Sequence, residues 1–124
     1  MVEAANRFVL DTNIVLYYLG GRLAESLPAG QYFVSVVTEM ELLSYPNISE
    51  TEERHIRGFL DRVQIVNLND TVKTSAISLR RQHRFKLPDA IVVATARSLQ
   101  ALLLTNDVQL VNSPHAQTRS VTIT

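Results

Sequence analysis

Short, dense apolar runs alternate along the chain with longer stretches in which apolar positions recur every three or four residues. The first pattern marks strands buried on both faces, and the second marks amphipathic helices. Residues 7–10, "RFVL", read as a first strand, and "TNIVLYYLGG" as a helix closed by Gly20 and Gly21. "RLAESL" is expected to add one or two helical turns before Pro28 and Gly30. "QYFVSVV", 31–37, reads as a second strand, rich in aromatic and β-branched residues. "TEMELLSY" follows as a helix stopped by Pro46, because the residue before a proline avoids the α region. Ser49 opens "SETEERHIRGFLDRV", whose early acids suit a helix N-terminus. "QIVNL", 64–68, is a third strand, and Asp70 caps "TVKTSAISLRRQHR". Pro88 begins "PDAIVVATARSLQ", a helix apolar enough for burial. Residues 101–104 supply a fourth strand and "SVTIT" a fifth.

Strands alternating with helices predict an α/β fold, a three-layer sandwich around a mostly parallel five-stranded sheet. At 124 residues the chain fits one domain, residues 1–124. In such sheets ligands bind beyond the carboxyl ends of the strands. Two strands end there on an acid: "VLDTN" delivers Asp11 and "LLLTND" delivers Asp107.

Four acids stand out, each with an ordinary structural use beside the chemical one. Asp11 can N-cap the helix that follows it. Glu41 closes "TEME", 38–41, the pattern of a capping box led by Thr38. Glu39 lies about 200° round the helix from Glu41 and cannot share its site. Asp89 suits the start of its helix on dipole grounds, and Asp107 suits a turn. Jointly the four mean more. Carboxylates about 5 Å apart repel by roughly 3 kcal/mol at an effective dielectric near 20, so a cluster needs raised pKa values or a cation. Oxygen donors without cysteine favour Mg²⁺ or Mn²⁺ over Zn²⁺. The matching chemistry is metal-assisted phosphodiester hydrolysis.

"VLDTN", "SVVTEMEL", "LPDAIVVATA" and "LLLTND", in this order and spacing, resemble the PIN domain, over about residues 7–124. More narrowly the chain is similar to the VapC-type toxin ribonucleases of toxin–antitoxin modules. That resemblance implies a Rossmann-like sheet of order 3-2-1-4-5, a divalent metal, RNA cleavage, a homodimer and a small antitoxin partner. The family's acidic quartet falls on Asp11, Glu41, Asp89 and Asp107, with Asn13 and Thr105 as polar supports that orient acids or water. The fourth acid varies in position among VapC-type chains, which leaves Asn106 as a substitute for Asp107.

Charge sharpens the picture in one place only. Lys plus Arg equals Asp plus Glu at 12 each, so no global field draws nucleic acid. A local run, "RRQHRFK", holds Arg80, Arg81 and Arg84; it suits a helix C-terminus, and it also suits RNA phosphates near Asp89. His55 and His115 are given no role. Tyr17, Tyr18, Tyr32 and Phe33 are assigned to core or dimer contacts. Cysteine is absent, and the longest apolar runs fall far short of the roughly 20 residues of a membrane span, so a cytoplasmic protein is expected. Two rivals share this pattern: a PIN-type nuclease in RNA processing or DNA cleavage, and a non-catalytic binding module of the same fold.

Overall fold

The structure is a computed structural model that describes residues 6–124. Residues 1–5 of the expected domain lie outside the described residues. Along the chain run β1 (Arg7–Leu10), α1 (Thr12–Leu19), β2 (Gln31–Ser35), α2 (Val36–Leu43), α3 (Glu50–Leu60) and β3 (Gln64–Val66). Then follow α4 (Asp70–His83), α5 (Leu87–Leu99), β4 (Leu102–Leu104), α6 (Val108–Val111) and β5 (Thr118–Arg119). The strands form one sheet of order β3-β2-β1-β4-β5 in which every pairing is parallel. The fold class and strand order are those expected from the sequence.

Alternation along β1 divides the core. Val9 packs on one face with Val72, Ala76 and Leu79 of α4 and the buried run of α5. Phe8 and Leu10 pack on the other with Ile14 and Val15 of α1, Leu42 of α2, and Ile56 and Phe59 of α3. A strand covered on both sides has no polar alternation to show, which is why these segments read as continuous apolar runs. Gly30 admits β2 to the sheet, since a Cβ there would meet Asn6 O at 2.5 Å and the Phe8 ring at 2.7 Å.

Several boundaries differ from the expected ones. The segment after α1 is not helical: Gly21 turns the chain at φ 69°, and Leu23 bridges antiparallel to Ile123. The second strand stops at Ser35, whose hydroxyl accepts from Val37 N and so caps α2 two residues before the expected end. Thr38 is therefore inside the helix, and the expected capping box to Glu41 does not form. The real capping box joins Ser49 and Glu52. Asn69, not Asp70, caps α4. The third strand ends at Val66, and α5 begins at Leu87 with Pro88 inside its first turn. The fifth strand is Thr118–Arg119 rather than the terminal segment, which instead ties to the Arg22 loop through Thr124 N and Arg22 O at 2.8 Å. Where the sequence pattern predicts a turn at Asp107, the short α6 follows it.

Candidate functional site

The carboxyl edge of β1 and β4 is where the acids gather. Asp11 N donates to Leu104 O over 3.1 Å, tying the residue after β1 to the end of β4. Asp11 N-caps α1, as its sequence position suggested, with Oδ1 accepting from Thr12 N at 2.9 Å. Its other oxygen accepts from the Thr105 hydroxyl at 2.7 Å. The same hydroxyl accepts from Asp107 N at 3.0 Å. A threonine carries one proton and two lone pairs. Thr105, fully buried, uses them to bind the first acid and to set the backbone of the fourth.

Glu41 stands in the last turn of α2 and takes a different partner from the expected one. Its Oε1 accepts from the Thr12 hydroxyl at 2.5 Å. Thr12 also lies 3.1 Å from the Thr38 hydroxyl. Thr12 has one proton to donate, and an ionised carboxylate can only accept. The direction of the chain follows: Thr38 donates to Thr12, and Thr12 donates to Glu41. The sequence reading assigns Thr12 no role. Nothing in its local pattern marks it, because its partners are 26 and 29 residues away.

Asp89 lies in the first turn of α5, a helix with no side-chain cap of its own. Asp107 N-caps α6, with Oδ1 accepting from Gln109 N at 2.9 Å. Asn106 is committed elsewhere: its amide donates to Val121 O at 2.9 Å and accepts from Val121 N at 2.7 Å. It fastens the C-terminal segment and is no substitute for the acid beside it.

Asp11, Glu41, Asp89 and Asp107 line one cavity of about 330 Å³, together with Thr12, Asn13 and Tyr45. A larger cavity, about 640 Å³, lies beneath the 21–28 loop, walled largely by apolar groups such as Leu23, Leu27 and Phe59, and holds none of the four acids. Burial pushes the Asp11 carboxyl above its ordinary value; the Thr105 and Thr12 hydrogen bonds oppose this, while the charges of Asp107 and Glu41 add to it. Burial also raises Asp89, reinforced by Asp107 and Asp11 and opposed by Lys86. No ion pair among the described residues includes any of the four acids. Arg80, Arg81 and Arg84 are exposed and do not line the cavity. Arg80 donates to Phe85 O at 3.2 Å across the left-handed turn at Arg84, φ 60°.

Mutually repelling oxygen donors with no ion-pair partner among the described residues fit a hard divalent cation. They do not converge into a closed cage: among the described residues no three Asp, Glu or His side chains stand close enough to hold one ion directly. Mg²⁺ keeps several waters and binds proteins through one or two carboxylates, so direct contact with all four acids is not required of it.

A search of the curated proteins found no match. Among solved structures, the chain is similar to VapBC2 from Rickettsia felis bound to a promoter DNA fragment, with TM-score 0.77, 18% identity, and coverage of 93% of this chain and 98% of that one. It is also similar to a toxin–antitoxin complex from Klebsiella pneumoniae, with TM-score 0.71, 28% identity and coverage of 87% and 93%. A third is VapBC-1 from nontypeable Haemophilus influenzae, with TM-score 0.69, 24% identity and coverage of 92% and 97%. The family model for the PIN domain matches residues 8–113, nearly the whole described chain, and this protein belongs to the PIN-domain family.

Proposed function

We propose that the chain is a metal-dependent endoribonuclease, the VapC-type toxin of a toxin–antitoxin pair. The observation that carries the chemistry is a single cavity lined by four acids from four separate segments, none of them in an ion pair among the described residues. Membership of the PIN-domain family supports a nuclease reaction, and the toxin–antitoxin complexes among the similar structures support the biological setting.

In this reading Asp11, Glu41, Asp89 and Asp107 would hold Mg²⁺ or Mn²⁺, in part through the ion's waters. When bound, such an ion would supply an activated water and neutralise charge developing on the phosphodiester. Asp11 is aimed by Thr105 and by the Thr12 amide, and Glu41 by the Thr12 hydroxyl. Asp89 and Asp107 face the same space from two helix N-termini. Asn13, on the cavity wall, offers an amide that can orient water or a phosphate oxygen. Arg81 and Arg84 meet RNA phosphates outside the cavity. The protein works in the cytoplasm as a homodimer and is held inactive by a small antitoxin. No helix among the described residues is long and apolar enough to cross a membrane.

Cleavage of single-stranded RNA and DNA is the direct test, with Mg²⁺, Mn²⁺ or EDTA, by the native chain and by Asp11→Asn. The expected result is RNA cleavage by the native chain with either metal, lost in EDTA and in the variant. Cleavage confined to DNA would move the protein to another nuclease class. Cleavage unaffected by EDTA would end the metal-site reading.

A further inference from the structure

The cavity holds one aromatic side chain, Tyr45, and it is the one Phe or Tyr among the described residues with no ring, cation–π or core-cluster contact. Of the four Phe and four Tyr in the chain, Phe8 stacks on Tyr32 at 5.1 Å and Tyr18 tilts onto Phe59 at 5.8 Å. Tyr17 lies under the Arg22 guanidinium at 5.5 Å, Phe85 meets the His115 ring edge at 6.0 Å, and Phe33 is buried in the core. Tyr45 has no ring partner, no side-chain hydrogen bond among the described residues and no place in either core cluster. It is 46% exposed, and the face it shows lines the space occupied by Asp11, Glu41, Asp89 and Asp107.

The backbone keeps that ring in place. Tyr45 O accepts from Ile48 N at 3.4 Å, Pro46 holds the second position of the turn, and Asn47 takes φ 63° at the third. Proline second and a positive φ third are the signature of a type II turn. A side chain at the head of such a turn loses little backbone freedom when a ligand settles on it.

We propose that Tyr45 is a stacking platform for a nucleobase of single-stranded RNA, adjoining the phosphate presented to the acids. The inference rests on the nuclease reading of this cavity and adds the residue that grips the strand. No lysine or arginine lines the cavity, so the strand beside the reacting phosphate has no basic side chain there to grip it. A base offers the wall a π-face instead, and every base has one, so the contact is tolerant of sequence. The phenol ring supplies the matching face.

The native chain contains no tryptophan, so Tyr45→Trp places a single reporter at the site. With Ca²⁺ present, a short mixed-sequence single-stranded RNA is expected to quench its emission, and the same strand made of abasic residues is not. Tyr45→Ala is expected to raise KM for RNA by about 5- to 150-fold, the scale of one lost base stack. Its kcat should stay within about twofold of the native value, and Tyr45→Phe should behave like the native chain. Melting temperatures of all three variants, with an exposed ring altered, should match the native one and so separate contact from folding. Trp emission that ignores base-bearing RNA overturns the proposal and leaves the ring to a protein partner; a native KM in Tyr45→Ala overturns it as well. Failure of the native chain to cut RNA with Mg²⁺ or Mn²⁺ would remove the nuclease reading alone, because the titration needs no turnover and still decides the stacking.

Discussion

Thr105 donates its hydroxyl proton to Asp11 across 2.7 Å and 94 residues of sequence, and accepts the Asp107 amide with the same oxygen. One buried group thus couples the first acid of the cavity to the last. Thr105→Val keeps the shape and removes the hydroxyl. It leaves a half-buried carboxylate and a backbone N–H short of partners, at a cost of about 1–3 kcal/mol. Melting should fall by roughly 4 °C per kcal/mol, and RNA cleavage should fall with it. Thr105→Ser should restore both; if it does not, the methyl group rather than the hydrogen bonds is what matters.

Thr12 gives a second, narrower prediction. Thr12→Val removes the donor that aims Glu41 while keeping the volume of a buried side chain. Thermal stability should drop by about 1 kcal/mol, whereas metal affinity should weaken more than tenfold, the effect typical of a lost partner of a ligating carboxylate. Metal titration followed by melting separates the two. Equal metal affinity in Thr12→Val would show that Glu41 needs no aiming.

Asp11 and Asp89 make the metal-free protein sensitive to pH in a definite direction. Both carboxyls are raised above their ordinary value of 3.8, so the folded chain binds protons more readily than the unfolded one. That contribution is complete below the ordinary value and is lost as pH rises through the raised values. Glu52 works oppositely: its hydrogen bonds to Ser49 lower it, and its contribution is lost as pH falls. In EDTA at neutral pH, Asp89→Asn should melt above the native chain by roughly 2 °C, the equivalent of about 0.5 kcal/mol once solvent screening discounts the burial and repulsion acting on this partly exposed carboxyl. The gap should narrow towards acid pH. A variant that melts lower at neutral pH would mean that the carboxylate has a stabilising partner.

Metal should reverse that order. An ion that binds only the folded chain stabilises it by about 2.7 kcal/mol at a hundredfold excess over its Kd. Mg²⁺ or Mn²⁺ should therefore raise the native melting temperature well above its value in EDTA and barely move Asp11→Asn. An equal rise in both would place the ion away from the acids.

The basic run divides by structure into different tasks. Arg80 holds the Phe85 carbonyl, so it is left intact when the surface is tested. Arg81→Ala with Arg84→Ala should weaken RNA binding and lower its salt slope by about 1.4, the loss of two phosphate contacts on a single strand. An unchanged slope in filter binding across salt would return both side chains to plain solvation.

Read along the chain, apolar runs and their polar ends suffice to place β1, α1, α5 and β4, and to mark Asp11, Asp89 and Asp107 as acids at the mouths of elements. Those signals are local: a strand's burial, a helix's first turn, a cap within four residues. Where two local signals competed, the pattern alone chose wrongly. Val36 and Val37 favour a strand, yet the Ser35 hydroxyl draws them into α2. Thr38 and Glu41 have the spacing of a capping box, yet each finds Thr12, from a neighbouring helix. Strand order in the sheet decided those partners, as it decided that Thr105 meets Asp11 and that Asn106 turns away to hold Val121. Periodicity records which face of an element is buried; it does not record which hydroxyl a distant carboxylate will find. That is set only when parallel strands bring their ends together.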